Sequence, residues 1–157
     1  MKLRNIVTSI SAIFVISMFA AMSARSQTVT GSIANGTAAK GVAARATIVL
    51  DIPDGLHVNS NRPNNEYQIP TTVQASAPGV KIGTVTYPRG RSRKFEFTDK
   101  PINVYEGRTT FTFNVTVPRT YTGNSVSIRV KVRYQACTTE VCYPPKTKEV
   151  TLSAKLR

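Results

Sequence analysis

Cys137 and Cys142 are the only cysteines of the chain, and they stand with four residues between them in the stretch YQACTTEVCYPPK, residues 134–146. Thiols at this spacing serve three chemistries: a structural staple, half of a metal site, or a disulfide that is made and broken as its task. A zinc site needs four N, S or O ligands, or three and a water. Beyond the two thiols the chain offers a single histidine, His57, far away in sequence, so neither a metal nor a cofactor is expected. A staple closing so short a loop stabilises by only about 2 kcal/mol. Exchange instead requires a sulfur that a partner thiolate can approach in line, and a mixed disulfide as intermediate. Lys146 and Arg133 nearby would favour a thiolate, and Glu140 inside the loop would oppose one. Spacing alone leaves staple and reagent both open.

The elements that must position this pair are strands. In NSVSIRVKVRYQAC, Val126, Ile128, Val130, Val132 and Tyr134 alternate with Ser127, Arg129, Lys131, Arg133 and Gln135, the period-two pattern of a long half-buried strand. Phe111, Phe113, Val115 and Val117 alternate with threonines and Asn114 in the same way, and Pro118 closes that strand. ARATIVLDI (44–52) predicts a strand ending at the turn Pro53-Asp54-Gly55, followed by a short extended LHVNS. TTVQASA, VKIGTVTYP, KFEFT and TKEVTLSAKL supply further candidates, while residues 27 to about 42 read as a loose lead-in or edge strand. No window carries a period of 3.6. Seven to nine strands at short spacing predict an all-β chain, a single antiparallel β-sandwich of immunoglobulin-like type. With no tryptophan and two cysteines too close to bridge opposing sheets, the disulfide is local rather than a core pin. Cys137 is expected to end the longest strand, with both thiols at an exposed hairpin rim.

The chain opens with Lys2 and Arg4, an apolar run from about Ile6 to Met22, and small residues. That order predicts a secretory signal peptide, cleaved after Ser23 or after Ser26; taking the second, the signal spans 1–26, Gln27 is the new N-terminus and a single domain spans 27–157. A periplasmic or secreted location follows, with no stable membrane span after cleavage. Outside the cytosol, an oxidised pair is the default state. The formal charge is +13, and removal of the signal leaves 18 basic against 8 acidic residues, or +10. Such an excess favours acidic partners or anionic surfaces. The densest run, RGRSRK (89–94), follows Tyr87-Pro88 and reads as a solvated hairpin turn. It lacks the interleaved aromatics of a nucleic-acid groove, so no nucleic-acid partner is expected.

VRYQACTTEVCYPPKTKEVTL, together with DIPDGLHVNSNRP and YPRGRSRKFEFTDKPINVYEG, resembles the N-terminal periplasmic domain of the DsbD family of thiol:disulfide interchange proteins. The resemblance covers nearly the whole expected mature chain. It implies an immunoglobulin-like fold with Cys137 and Cys142 as the interchange pair, Cys142 facing the client. It implies a cap over the disulfide from FEFTDKP, with Phe97 as the first choice of cap and Phe95 as the alternative. GLHVNS matches a segment where other members place tyrosines near the cysteines, so His57 and Asn59 are expected to flank the site, as is Tyr143. The implied partners are a thioredoxin-like or DsbD/CcdA-type membrane redox protein and exported thiol proteins. The implied activity is that of a protein-disulfide reductase or interchange component. The chain shows neither multiple apolar spans nor a C-x-x-C, so electrons are expected to come from a separate membrane reductase. The competing reading is a non-catalytic periplasmic binding or adaptor domain, with a structural hairpin disulfide and a basic docking surface.

Overall fold

The computed structural model describes residues 26–157 except 65 and 97. The expected signal segment and Phe97 therefore lie outside the described residues, Ser26 apart. Among the described residues twelve strands follow in chain order: β1 Thr28–Ile33, β2 Thr37–Ala38, β3 Ala43–Asp51, β4 His57–Asn59, β5 Thr72–Ser76, β6 Lys81–Ile82, β7 Arg91–Arg93, β8 Ile102–Tyr105, β9 Arg108–Thr116, β10 Ser125–Tyr134, β11 Ala136–Cys137 and β12 Lys146–Leu156. They form three four-stranded sheets, ordered β1-β3-β9-β6, β2-β12-β10-β5 and β11-β4-β8-β7. Every pairing is antiparallel except that of β2 with β12.

The alternation in the sequence is realised residue by residue. Along β10 each of Val126, Ile128, Val130, Val132 and Tyr134 is buried and each residue between them is exposed. β9 buries Phe111, Phe113 and Val115, with Thr112 half-buried and Asn114 exposed between them. These two rows meet Ile48 and Leu50 of β3, Leu152 of β12 and Val73 of β5 in one core shared by the first two sheets, the arrangement of a β-sandwich. A methyl group at Gly31 would sit 2.5 Å from the Thr47 carbonyl oxygen and 2.9 Å from Leu152. Only glycine permits that approach of β1 to the opposite sheet. β1 is the edge strand of its sheet and pairs with β3 along its whole length, from Thr28↔Asp51 to Ile33↔Ala46. It is a regular ladder rather than a loose lead-in.

Three expectations give way in the third sheet. RGRSRK is not a hairpin turn: Arg91–Arg93 form β7 and pair with β8 from Arg91↔Val104 to Arg93↔Ile102. A sheet edge satisfies the backbone of a segment whose side chains all prefer water, and arginine-rich edges resist unwanted pairing. Among its described residues KFEFT holds no strand. Its Phe95 turns inward onto Ile102 and Val104, forming a satellite apolar cluster, and Thr98 N–H closes a turn on the Phe95 carbonyl at 3.1 Å. Cys137 does not end the longest strand, since β12 is longer than β10 and Cys137 belongs to the separate β11.

Candidate functional site

The chain leaves one sheet and enters another at Gln135. β10 stops at Tyr134, and β11 pairs with β4 in the third sheet, Ala136 opposite Val58 and Cys137 opposite His57. Ala136 and Val58 belong to the main core. Side chains alternate across a strand, so Cys137 and His57 share the other face of that sheet, the one holding Phe95, Ile102 and Val104.

Thr138 then reverses the chain. Its N–H donates to the Val141 carbonyl at 2.8 Å, and its hydroxyl oxygen accepts the N–H groups of Glu140 at 3.1 Å and Val141 at 3.0 Å. A threonine binding the backbone two and three residues on is a self-contained turn. It returns Cys142 opposite Cys137 in an antiparallel bridge, with the disulfide formed and the two Cα atoms 4.0 Å apart. The Tyr143 N–H donates to the Ala136 carbonyl at 2.8 Å. Since Val141 and Tyr143 direct their backbone groups toward β11, the N–H and C=O of Cys142 point outward.

The two sulfurs are not equivalent. Cys137 is fully buried, whereas Cys142 is exposed, as are its neighbours Val141 (53%) and Tyr143 (45%). The expectation of two thiols on an exposed rim holds for Cys142 alone. The asymmetry comes from the sheets: Cys137 sits between β4 and the returning Cys142 segment, and among the described residues Cys142 is bridged on one side only, to Cys137.

His57 is buried at 3% exposure and lies ring on ring with Phe95, centroids 4.2 Å apart and planes within 13°. Its Nε2 has no hydrogen-bond partner among the described residues. Burial pushes the imidazole below its usual range; Glu106 pulls the other way and Arg93 adds to the lowering. Glu106 is itself engaged by Arg93 at 3.0 Å and Arg91 at 3.7 Å. A cavity of about 260 Å³ is lined by His57, Phe95, Arg93, Glu106, Thr139 and the turn at Pro53–Leu56. Phe95, the alternative cap residue of the sequence reading, thus stands over the strand partner of Cys137.

Asn59 lies two residues on from His57 in β4, on the same face of the strand. It is buried, and its side-chain amide donates to the Ile69 carbonyl at 3.1 Å and to Gln135 Oε1 at 3.2 Å, while its backbone carbonyl accepts the Thr71 hydroxyl at 2.6 Å. Gln135 in turn donates to the Tyr143 carbonyl at 3.2 Å. Gln135 therefore ties Asn59 on β4 to the strand that carries Cys142. Sequence reasoning missed this role because Gln135 occupies a polar position of the alternation and reads as solvent-facing. Its place in Tyr-Gln-x-Cys, ahead of the first cysteine, was the available signal. Glu106 and Arg93 were missed as well, since only the third sheet brings them to His57.

A β-sandwich with a third sheet that presents one sulfur of a hairpin disulfide to solvent defines an immunoglobulin-like domain of the thiol–disulfide class. Over residues 27–154 the chain matches the family described as thiol:disulfide interchange protein DsbD, N-terminal, and it belongs to that family. It is 28% identical over 102 residues to the thiol:disulfide interchange protein DsbD of Pseudoalteromonas atlantica, a match covering 64% of this chain and 16% of that protein. Among solved structures it is similar to the N-terminal periplasmic domain of ScsB from Proteus mirabilis, with TM-score 0.55 and 9% identity over 82% of this chain and 46% of that one. It is also similar to the Neisseria meningitidis DsbD N-terminal domain, with TM-score 0.49 and 19% identity over 81% and 86% of the two chains. The ScsB likeness supports the fold assignment. Family membership and the Cys137–Cys142 disulfide together place the chain in thiol–disulfide interchange in general.

Proposed function

We propose that the chain is an exported interchange module that passes reducing equivalents from a membrane thiol–disulfide reductase to thioredoxin-fold or other exported thiol proteins. The carrying observation is the union of an exposed Cys142 with a fully buried Cys137. A donor thiolate attacks Cys142 Sγ, the S–S bond breaks, and the electron pair leaves on Cys137 Sγ, giving a mixed disulfide through Cys142. A second donor thiolate releases Cys142, and the protein is reduced. Toward a client the steps reverse: the Cys142 thiolate attacks the client disulfide, and Cys137 attacks Cys142 Sγ and frees the reduced client.

Several observations support export. The family match begins at Gln27, the expected first residue after cleavage. Gln27 is buried and accepts a hydrogen bond from the Tyr134 hydroxyl at 3.5 Å. The basic, apolar and small segments that precede it in the sequence follow the order of a secretory signal. We assign residues 1–26 to the signal and 27–157 to the domain on this basis.

The test is a trapping experiment joined to a potential measurement. A Cys137→Ala variant, lacking the resolving thiol, should accumulate mixed disulfides through Cys142, and Cys142→Ala should not. The reduction potential should lie above the roughly −300 mV below which structural disulfides fall. A lower potential together with no trapped adduct would leave the adaptor reading in its place.

A further inference from the structure

Resting on that reading, the row of side chains that crosses the third sheet carries a step further. Cys142 is cross-strand from Cys137 and Cys137 is cross-strand from His57. Directly opposed residues carry their Cβ atoms about 4.5–5.5 Å apart on one face. Continuing the register Val58↔Tyr105 by one residue sets Glu106 beyond His57, and both line the same cavity. The order across the sheet is carboxylate, imidazole, buried sulfur, exposed sulfur.

The buried sulfur poses a proton problem that the exposed one does not. The thiolate is the nucleophile, and Cys142 can lose its proton to water. Cys137, fully buried, resolves the mixed disulfide only after its thiol proton has gone to a neighbour. A charged sulfur without a compensating partner is costly in such a place. Of the described residues paired with Cys137 on that face, His57 is the one able to accept a proton, and its Nε2 is committed to no other group there.

We infer that His57 is the general base for Cys137 in the resolving step. The neutral imidazole takes the Cys137 thiol proton as Cys137 Sγ attacks Cys142 Sγ. The Cys137–Cys142 bond forms, the Cys142–client bond breaks, and the electron pair leaves on the client sulfur. The imidazolium then returns its proton to that thiolate or to water, so atoms, charge and electrons balance with no further reactant. The groups facing His57 from the packed elements are Cys137 on β11, Arg93 on β7, Glu106 after β8 and Asp54 in the turn before β4. Because Glu106 is held by Arg91 and Arg93, it is hindered from fixing the imidazole as a cation. Phe95, stacked on the ring, holds its plane.

The experiment mixes the reduced full chain with dithiobis-nitrobenzoate and follows the coloured thiol. Its first phase, attack by Cys142, rises with reagent concentration, and its second, resolution by Cys137, does not. His57→Gln should slow the second phase at least tenfold more than the first, toward the about 10²-fold that general-base catalysis supplies. His57→Phe, which keeps an aromatic ring against Phe95 but no base, should be equally slow. A His57→Phe second phase as fast as that of the unaltered protein would overturn the proposal and leave packing as the role of His57. In the unaltered protein the second phase should fall with decreasing pH through an ionisation below neutrality, over and above that of the thiol. A profile following the thiol alone would overturn the proposal without need of any variant. Release of no coloured thiol by the unaltered protein would instead sink the interchange reading itself.

Discussion

His57 and Phe95 stack with centroids 4.2 Å apart, joining a strand of the third sheet to the loop that follows its arginine-rich edge. Phe95 is also the centre of the satellite cluster with Ile102 and Val104. Phe95→Ala removes both contacts. Stability should drop by about 1–3 kcal/mol, less than for a fully enclosed phenylalanine, read as a shift in the urea midpoint. Reduction of the disulfide by dithiothreitol should become several-fold faster as the loop over β4 loosens. An unchanged rate with lowered stability would make Phe95 a packing residue and no cap.

The unequal burial of the sulfurs predicts unequal alkylation. In the Cys137→Ala variant the remaining Cys142 should react with iodoacetamide at the rate of an open thiol. In Cys142→Ala the remaining Cys137 should be slower by at least about tenfold, since reaction there requires local opening of β11. Comparable rates would contradict the burial of Cys137.

Reduction should leave the domain folded. The bridge closes a loop of only four intervening residues, and such a loop is worth about 2 kcal/mol. Phe111 sits fully buried where β9 faces the opposite sheet, and Phe111→Ala should cost about 3–5 kcal/mol. Urea titrations of the oxidised protein, the reduced protein and the Phe111 variant should rank in that order.

Acid should weaken the fold partly through His57. Burial places its folded-state pKa below the ordinary value of 6.5. In the window between the two, the unfolded chain binds more protons, so stability is full above 6.5 and declines as pH falls through the folded value. His57→Gln should remove that share of the decline in urea midpoints measured between neutral and mildly acidic pH. A decline as steep in the variant as in the unaltered protein would show that other groups carry it.

The two long strands facing each other in the core were legible because Val126 to Tyr134 and Phe111 to Val117 alternate without interruption, and burial follows the same positions. The third sheet was far less legible. Arg91–Arg93 has no apolar side chain to betray a strand, and INVY (102–105) is too short to establish a period. The site depends on that sheet. The cysteine pair and the flanking place of His57 came from spacing and family likeness, but the burial of Cys137 came from a change of sheet at Gln135 that no local pattern records. Asn59 was expected to flank the disulfide, and its hydrogen bonds to the 69–71 segment are a long-range choice invisible in a window of a few residues.

The passage of one continuous segment from β10 into β11 has a mechanical meaning. β10 is hydrogen-bonded on both sides, to β12 and to β5, and only Gln135 separates it from the strand that ends in Cys137. When a partner is tethered through Cys142 the bridge is open, and the sulfur that must close it, Cys137, stays held by β11 against β4, one residue beyond the doubly paired β10. The reacting sulfur is thus mounted on a chassis rather than hung from a tether, and the partner must supply the compliance that alignment of three sulfurs requires.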